Sequence, residues 1–196
     1  MTADGHSLSA PDPGVTLRLL GRNDARSVAE LLLDTSNESL HQRFFTVPSH
    51  SHLRAEIERL TRPASRQHAA VGAEIGGKLV GVASFERDKD DESRAELAIL
   101  VGDAFQGRGI GRQLVEYLAR TARKQQITEL TASVLASNER MLRLARSMAA
   151  SATSQIVDGV IDLTVPLQEP APNGNRSTVG ASTAPATPVS ATSNAA

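Results

Sequence analysis

Val15, Leu17 and Leu19 alternate with Thr16 and Arg18, a period of two that predicts a strand over Val15–Leu20. Gly21 turns the chain, and Asn23 or Asp24 can cap a helix whose apolar face is Ala25, Val28, Ala29, Leu31, Leu32 and Leu33. A second helix starts at Ser36-Asn37-Glu38 and reaches Phe44-Phe45, with Pro48 ending the segment. A third covers His52–Leu60, where Leu53, Ile57 and Leu60 recur at helical spacing. Gln67–Ile75 and Lys78–Phe85 read as strands joined at Gly76-Gly77, a tight hairpin because primed turns need positive φ. The charged turn Asp88–Glu92 leads to a strand over Arg94–Val101, a glycine-rich turn, and a helix over Ile110–Lys124. Leu114, Val115, Leu118 and Ala122 are its buried stripe. A strand over Glu129–Leu135 and a helix over Glu139–Met148 follow. Val157 and Val160–Val165 read as a closing strand interrupted at Asp158-Gly159.

This order places one folded domain over residues 15–167, after a loose polar arm (1–14) and before a Pro/Ala/Ser/Thr-rich tail (168–196) expected to be disordered. The chain has 196 residues, 40% of them hydrophobic and 22% charged, ordinary values for a globular domain. A net charge of −1 gives no bulk electrostatic reason to bind nucleic acid or an anionic membrane. With no cysteine, a disulfide framework, a thiolate metal site and a thiol nucleophile are excluded. The polar start has no signal-peptide pattern, and no run approaches the ~20 apolar residues of a membrane span, so a cytoplasmic location is expected. The five histidines lack metal-ligand spacing, and no metal is expected.

The turn Gln106-Gly107-Arg108-Gly109-Ile110-Gly111 carries the chemistry. Its glycines let backbone approach a phosphate, the first amides of the following helix are unpaired, and Arg108 and Arg112 add fixed charge. A Rossmann fingerprint would open a βαβ unit near the N-terminus, and a Walker A loop would continue Gly-Lys-Ser/Thr, whereas Gly111 is followed by Arg112. The stretch Val101–Gly111 instead resembles motif A of the GNAT acetyltransferase superfamily, Gln/Arg-x-x-Gly-x-Gly/Ala, and the element order from Val15 to Leu167 is similar to that family's fold. The implied fold class is α/β (α+β): a mixed, mostly antiparallel sheet, splayed between its fourth and fifth strands, with helices on both faces. Residues 38–45 and 138–146 further resemble the GNAT domain of bacterial protein lysine acetyltransferases.

The resemblance implies acetyl-CoA as cosubstrate. Its pyrophosphate would lie on amides from Gln106 to Arg112 (Gln106, Gly107, Arg108, Gly109, Ile110, Gly111, Arg112), and its pantetheine arm along Ala98, Ile99, Leu100 and Val101. Asn138 resembles the asparagine near the thioester, though a plain helix cap explains it equally. Arg146 could reach a cofactor phosphate or end in solvent. Glu96, on the strand face of Ala98 and Leu100, is the candidate general base, expected to be desolvated; the alternative is an ion pair with Arg94 or Lys78. Family members often carry a tyrosine acid in the last helix, where this chain has Ala145. Arg43, Phe44 and Phe45 are the candidate acceptor contacts. Two adjacent aromatics on a short helix cannot both face one core: either one lines a cleft or both plug a groove between helices. Where relatives read Leu-Gly-Phe, this chain reads Met148-Ala149-Ala150-Ser151, which implies a less sharply ended helix and a loosely packed C-terminal hairpin.

The expected function is N-acetylation of an amine, foremost a protein lysine, by a monomer or homodimer. A small-molecule amine acetyltransferase and a degenerate acyl-CoA sensor are the alternatives.

Overall fold

The computed structural model describes residues 14–148 and 153–167. In chain order the elements are β1 (Thr16–Leu19), α1 (Ala25–Leu33), α2 (Asn37–Phe44), α3 (His50–Leu60), β2 (His68–Ile75), β3 (Lys78–Arg87), β4 (Arg94–Val101), α4 (Ile110–Lys124), β5 (Glu129–Leu135), α5 (Glu139–Met148), β6 (Thr153–Val157) and β7 (Val160–Pro166). The strands form one sheet in the order β1-β2-β3-β4-β5-β7-β6. Every neighbouring pair is antiparallel except β4 and β5.

Alternation sorts the strand side chains between two cores. Ala69, Val71, Ala83, Phe85, Ala95 and Leu97 face α4, whose Ile110, Leu114, Val115 and Leu118 are fully buried. Each such side chain contributes roughly 1.5–3 kcal/mol. On the other face Ala70, Val82 and Leu100 meet Val28, Leu31 and Leu32 of α1 and Leu60 of α3. Leu33, assigned to the apolar face of α1 from spacing, is 70% exposed, because its position has turned past the edge of that core.

The hairpin turn at Gly76-Gly77 has φ of 57° and 79°, as its glycines require. Asp158-Gly159, with φ of 49° and 78°, is the same kind of turn. The interruption in the closing strand is therefore a hairpin, and Thr153–Val157 is a seventh strand along β7. The sequence reading counted only Val157, because Thr153-Ser154-Gln155 carries no apolar alternation. Thr153, Ser154, Gln155 and Ile156 are all exposed on this edge strand. The departure at Ala149–Ser151, the tail 168–196 and all but the last residue of the arm 1–14 lie outside the described residues. Among the described residues, no helix is long and apolar enough to cross a membrane.

One feature of the sheet positions everything below. β4 and β5 pair only at Arg94–Glu129, Ala95–Leu130 and Glu96–Thr131, while on its other side β4 pairs with β3 from Ala95 to Val101. Beyond Glu96 the two parallel strands separate, and the β4 edge opens into a slot.

Candidate functional site

The slot is part of a groove of about 500 Å³. β4 lines it from Glu96 through Ala98, Ile99 and Val101, and β5 through Ala132, Ser133 and Val134. The loop after β4, the first turn of α4, α5 and the groove side of α2 complete the wall. Glu96 stands at the head of the slot, at the last β4–β5 pair, and the glycine loop closes the other end.

The loop is shaped by Gly107 and Gly109, with φ of 76° and 77°. A side chain at either position would strain the backbone. Gly109 is the N-cap of α4, and its carbonyl accepts the first helical bond from Gln113 N at 3.2 Å. The amides of Ile110, Gly111 and Arg112 thus begin a 15-residue helix without intrahelical partners, an arrangement that attracts anions. Gly111 sits between β4 and α5: a Cβ there would lie in ordinary contact with Ile99 Cδ1 (3.4 Å) and Leu144 Cδ2 (3.6 Å).

Side chains brace this loop against both neighbouring helices. Gln106 Nε2 donates to Val101 O (3.0 Å) and to Ser39 Oγ (3.1 Å) of α2. Gln106 Oε1 accepts from Arg140 of α5. Asp103 accepts from Ser36 N (2.7 Å), Ser36 Oγ (3.0 Å) and Ser39 Oγ (2.6 Å), tying the start of α2 to the same loop. Burial pushes the Asp103 carboxyl up, and these donors more than offset it, so it sits below the ordinary carboxylate range.

The sequence-derived residues separate into three groups. Glu96, Ala98, Ile99, Val101, Gln106, Gly107, Gly109, Ile110, Gly111, Arg112, Asn138, Arg43 and Phe45 all line the groove. Asn138 is also a helix cap, its Oδ1 accepting from Met141 N at 3.1 Å. Arg112 is paired with Glu116 at 2.7 Å. The remaining residues fall elsewhere. Leu100 turns its side chain into the α1–α3 core, since alternation sends it to the opposite face from Ile99 and Val101. Phe44 packs on that core too, with its ring 5.1 Å from His52, so of this pair Phe45 is the one that lines the cleft. Phe45 takes a left-handed φ of 61° that ends α2 and turns its ring outward, 40% exposed. The Arg108 guanidinium lies over Phe105, 5.6 Å from the ring centre. Arg146 is exposed and does not line the groove; Arg140 and Arg143, on the next faces of α5, do. Their spacing from Asn138 was the available signal, because positions two and five beyond a cap share the side of Met141 and Leu144.

Glu96 is exposed rather than desolvated, because the separating strands leave its side uncovered. Neither alternative partner reaches it. Arg94 pairs with Glu129 at 3.3 Å and Lys78 with Asp34 at 2.9 Å.

Beneath Glu96 lies a network that sequence reasoning missed. Arg43 Nη2 donates to Glu56 Oε1 (3.0 Å), and Arg59 donates twice to Glu56 (both 2.7 Å). Arg59 continues to Glu86 Oε1 (2.9 Å) and Ser84 Oγ (3.1 Å). Arg62 and His68 Nδ1 reach the same Glu86 oxygen, each at 2.7 Å. Burial alone would raise the Glu86 carboxyl, but the bonds from His68, Arg59 and Arg62 hold it down to about 2. Register explains the assembly: His68 faces Glu86 across β2–β3, and Glu86 faces Glu96 across β3–β4. Buried charges of this kind persist because each is paired and hydrogen-bonded.

A strand edge open on one side, amides at a helix start and flanking arginines can hold a long ligand with an amide-rich arm and a phosphorylated end. The description "Acetyltransferase (GNAT) family" matches residues 32–149. Acetyltransferase Pat of Mycolicibacterium smegmatis is 32% identical over 114 residues, which are 57% of this chain and 34% of that protein. The chain thus spans about a third of that curated relative. The crystal structure of the GNAT domain of S. lividans PAT superposes with a TM-score of 0.69 at 27% identity, over 78% of this chain and 90% of that one. A putative acetyltransferase from Salmonella typhimurium, solved with its cofactor acetyl-CoA, shares the fold with a TM-score of 0.59 at 21% identity, over 82% of this chain and 98% of that one. With a family match over more than half its length and the family's splayed sheet, the chain belongs to the GNAT acetyltransferases.

Proposed function

We propose that the protein is an acetyl-CoA-dependent N-acetyltransferase whose acceptor is a lysine ε-amine of another protein. The observation that carries this is the end of β4–β5 pairing at Glu96, which puts a carboxylate at the head of an unpaired strand edge that runs along one groove toward the glycine loop. The residues fit the cosubstrate. The β4 edge from Ala98 to Val101 would pair with the amides of its pantetheine arm as an added strand does. The amides from Gly107 to Arg112 would hold its pyrophosphate, with Arg112 and Arg140 nearby. Asn138 would face the thioester end. Acetyl-CoA supplies an acetyl group activated as a thioester.

The chain's own residues then act on the acceptor. Glu96 takes a proton from the incoming ammonium so that a free amine attacks. A β4 backbone amide polarises the carbonyl. Ala145 is buried and Tyr117, a residue of α4, lies beneath Arg120 outside the groove lining, so no tyrosine hydroxyl among the described residues meets the groove. The leaving thiolate takes its proton from solvent or from the product ammonium.

Three observations favour a protein over a small amine. Among the described residues, the only carboxylate lining the groove is Glu96, which is a poor match for a polyamine. Phe45, which lines the groove and is 40% exposed, offers an apolar contact that a partner surface would cover. The sequence likeness is to a Pat enzyme.

Glu96→Gln tests the reading. Acetyl-CoA affinity, measured by calorimetry, should stay within about twofold, while kcat with a lysine-bearing acceptor falls about 100-fold or more. Unchanged turnover would remove Glu96 from the mechanism. Acetyl-CoA binding with no CoA released to any amine would establish the sensor reading instead.

A further inference from the structure

Charge is distributed unevenly along the groove. Among the described residues, four arginines line it (Arg43, Arg112, Arg140 and Arg143) against the single carboxylate of Glu96. Three of the four belong to α4 and α5, beside the glycine loop, where an anionic cosubstrate would use them. Two of these already carry an acidic neighbour, Arg112 with Glu116 at 2.7 Å and Arg143 with Glu139 at 3.1 Å. Arg43 is the exception, because it comes from α2 and sits toward Glu96.

The network holds Arg43 at one end, through a carboxylate that it shares with Arg59. Glu56 is gripped bidentately by Arg59, and Glu86 is shared by Arg59 and Arg62. Those two carboxylates and two arginines balance each other. Arg43 adds one further cation and has one hydrogen bond among the described residues, from Nη2 to Glu56. Its Nε and Nη1 have no protein acceptor there, although a guanidinium presents its donors as a rigid fork suited to a carboxylate. The side chain is held in place: it is 19% exposed, and its guanidinium carbon lies 4.8 Å from the centre of the Phe44 ring. Apart from Glu56, the anion whose charge acts on Arg43 is Glu96 itself. Ser39 and Gln42, on the same side of α2, add neutral hydrogen-bonding groups to that wall.

We infer that Arg43 is a specificity residue that binds a carboxylate of the acceptor next to the amine being acetylated. The acceptor class is then an amine flanked by an acidic group, such as a lysine with neighbouring Asp or Glu, and not a polycation. Glu96 and Arg43 form a plus–minus pair that matches an acceptor's own minus–plus pair: the ammonium goes to Glu96 and the carboxylate to Arg43. A second ammonium at the Arg43 position would meet a fixed like charge, and rejecting wrong partners by repulsion is an effective route to specificity. This inference rests on the acetyltransferase reading above.

The test compares two lysine peptides of equal length, one with Glu on both sides of the lysine and one with Lys on both sides. Transfer is read as CoA release at saturating acetyl-CoA. Wild type should favour the acidic peptide by about tenfold or more in kcat/KM. Arg43→Gln should bring that ratio toward unity, and Arg43→Lys, which keeps the charge, should retain most of it. Thermal melting and acetyl-CoA affinity of each variant report whether the fold and cofactor half survive. Equal rates on both peptides in wild type, or a ratio unchanged in Arg43→Gln, would overturn the inference. If peptides are refused and only small amines react, the protein-acceptor reading fails separately. The Arg43 inference is then decided on 6-aminohexanoate against hexylamine, where a preference for the carboxylate-bearing amine that Arg43→Gln abolishes supports it and equal rates overturn it. If no amine reacts at all, both fall.

Discussion

The two ends of the groove are made from different materials. The end that faces α4 is built from main chain: an open strand edge, two left-handed glycines and the first amides of a helix. The end that faces α2 and α3 is built from side-chain charge, a run of Arg43, Glu56, Arg59, Glu86 and His68 beneath one exposed glutamate. Backbone recognises what is common to every molecule of a cosubstrate. Side chains recognise what differs between acceptors. The first end can tolerate many side-chain changes but few changes of conformation, and the second the reverse.

The largest effect separating the two should come from Glu56, whose side chain is 8% exposed and holds both Arg43 and Arg59. Glu56→Ala leaves the poorly exposed Arg43 without its ion-pair partner and Arg59 with Glu86 alone, a loss of about 3–5 kcal/mol in unfolding free energy. Chemical denaturation measures it. The protein that remains folded should bind acetyl-CoA as wild type does while its acceptor KM rises, and an equal loss of both affinities would merge the two ends into one unit.

Gly109→Ala makes the complementary break. A Cβ at φ 77° costs roughly 1–2 kcal/mol in backbone conformation. The loop must relax from the geometry that offers its amides, so the acetyl-CoA Kd should rise about 5- to 30-fold. Acceptor discrimination should not change.

The smallest effect is a pH dependence confined to the charged end. The Glu86 carboxyl, lowered from an ordinary 4.5 to about 2, favours the folded state wherever it is ionised in both states. That stability is complete above pH 4.5 and drains away as pH falls toward 2. Denaturation midpoints of Glu86→Gln should therefore fall less steeply than those of wild type across that window. Parallel slopes would mean that the His68–Arg59–Arg62 cluster does not hold the charge.

The same contrast explains what could be read from sequence. The β4 strand, the α4 and α5 helices and β5 were legible to the residue, because each has one unbroken period and a clear stop. The glycine loop was legible because positive φ demands glycine. The charged end was opaque. Its members come from α2, α3, β2 and β3, and nothing local in Glu56 or His68 announces a partner 13 or 18 residues away. Glu96 was located correctly on its strand but in the wrong surroundings, since strand alternation tells which face a residue takes and not where a neighbouring strand departs. Arg146 was singled out and Arg140 and Arg143 were passed over, although their spacing from Asn138 puts them on the side of Met141 and Leu144 that meets the groove. The Asp158-Gly159 turn was visible yet misread, because the polar strand before it shows no alternation.

The short seam between β4 and β5 has a mechanical side. Three residue pairs join a four-stranded sheet, β1 to β4, to a three-stranded one, β5-β7-β6. Apart from α2, α4 and α5 packing across it, the two portions of the sheet share only a brief hem. A ligand laid along the open edge would extend that seam and act as a structural member for as long as it stays. Occupied and empty protein would then differ most in how independently the β5-β7-β6 portion breathes, and amide exchange in β5 would serve as a gauge of occupancy.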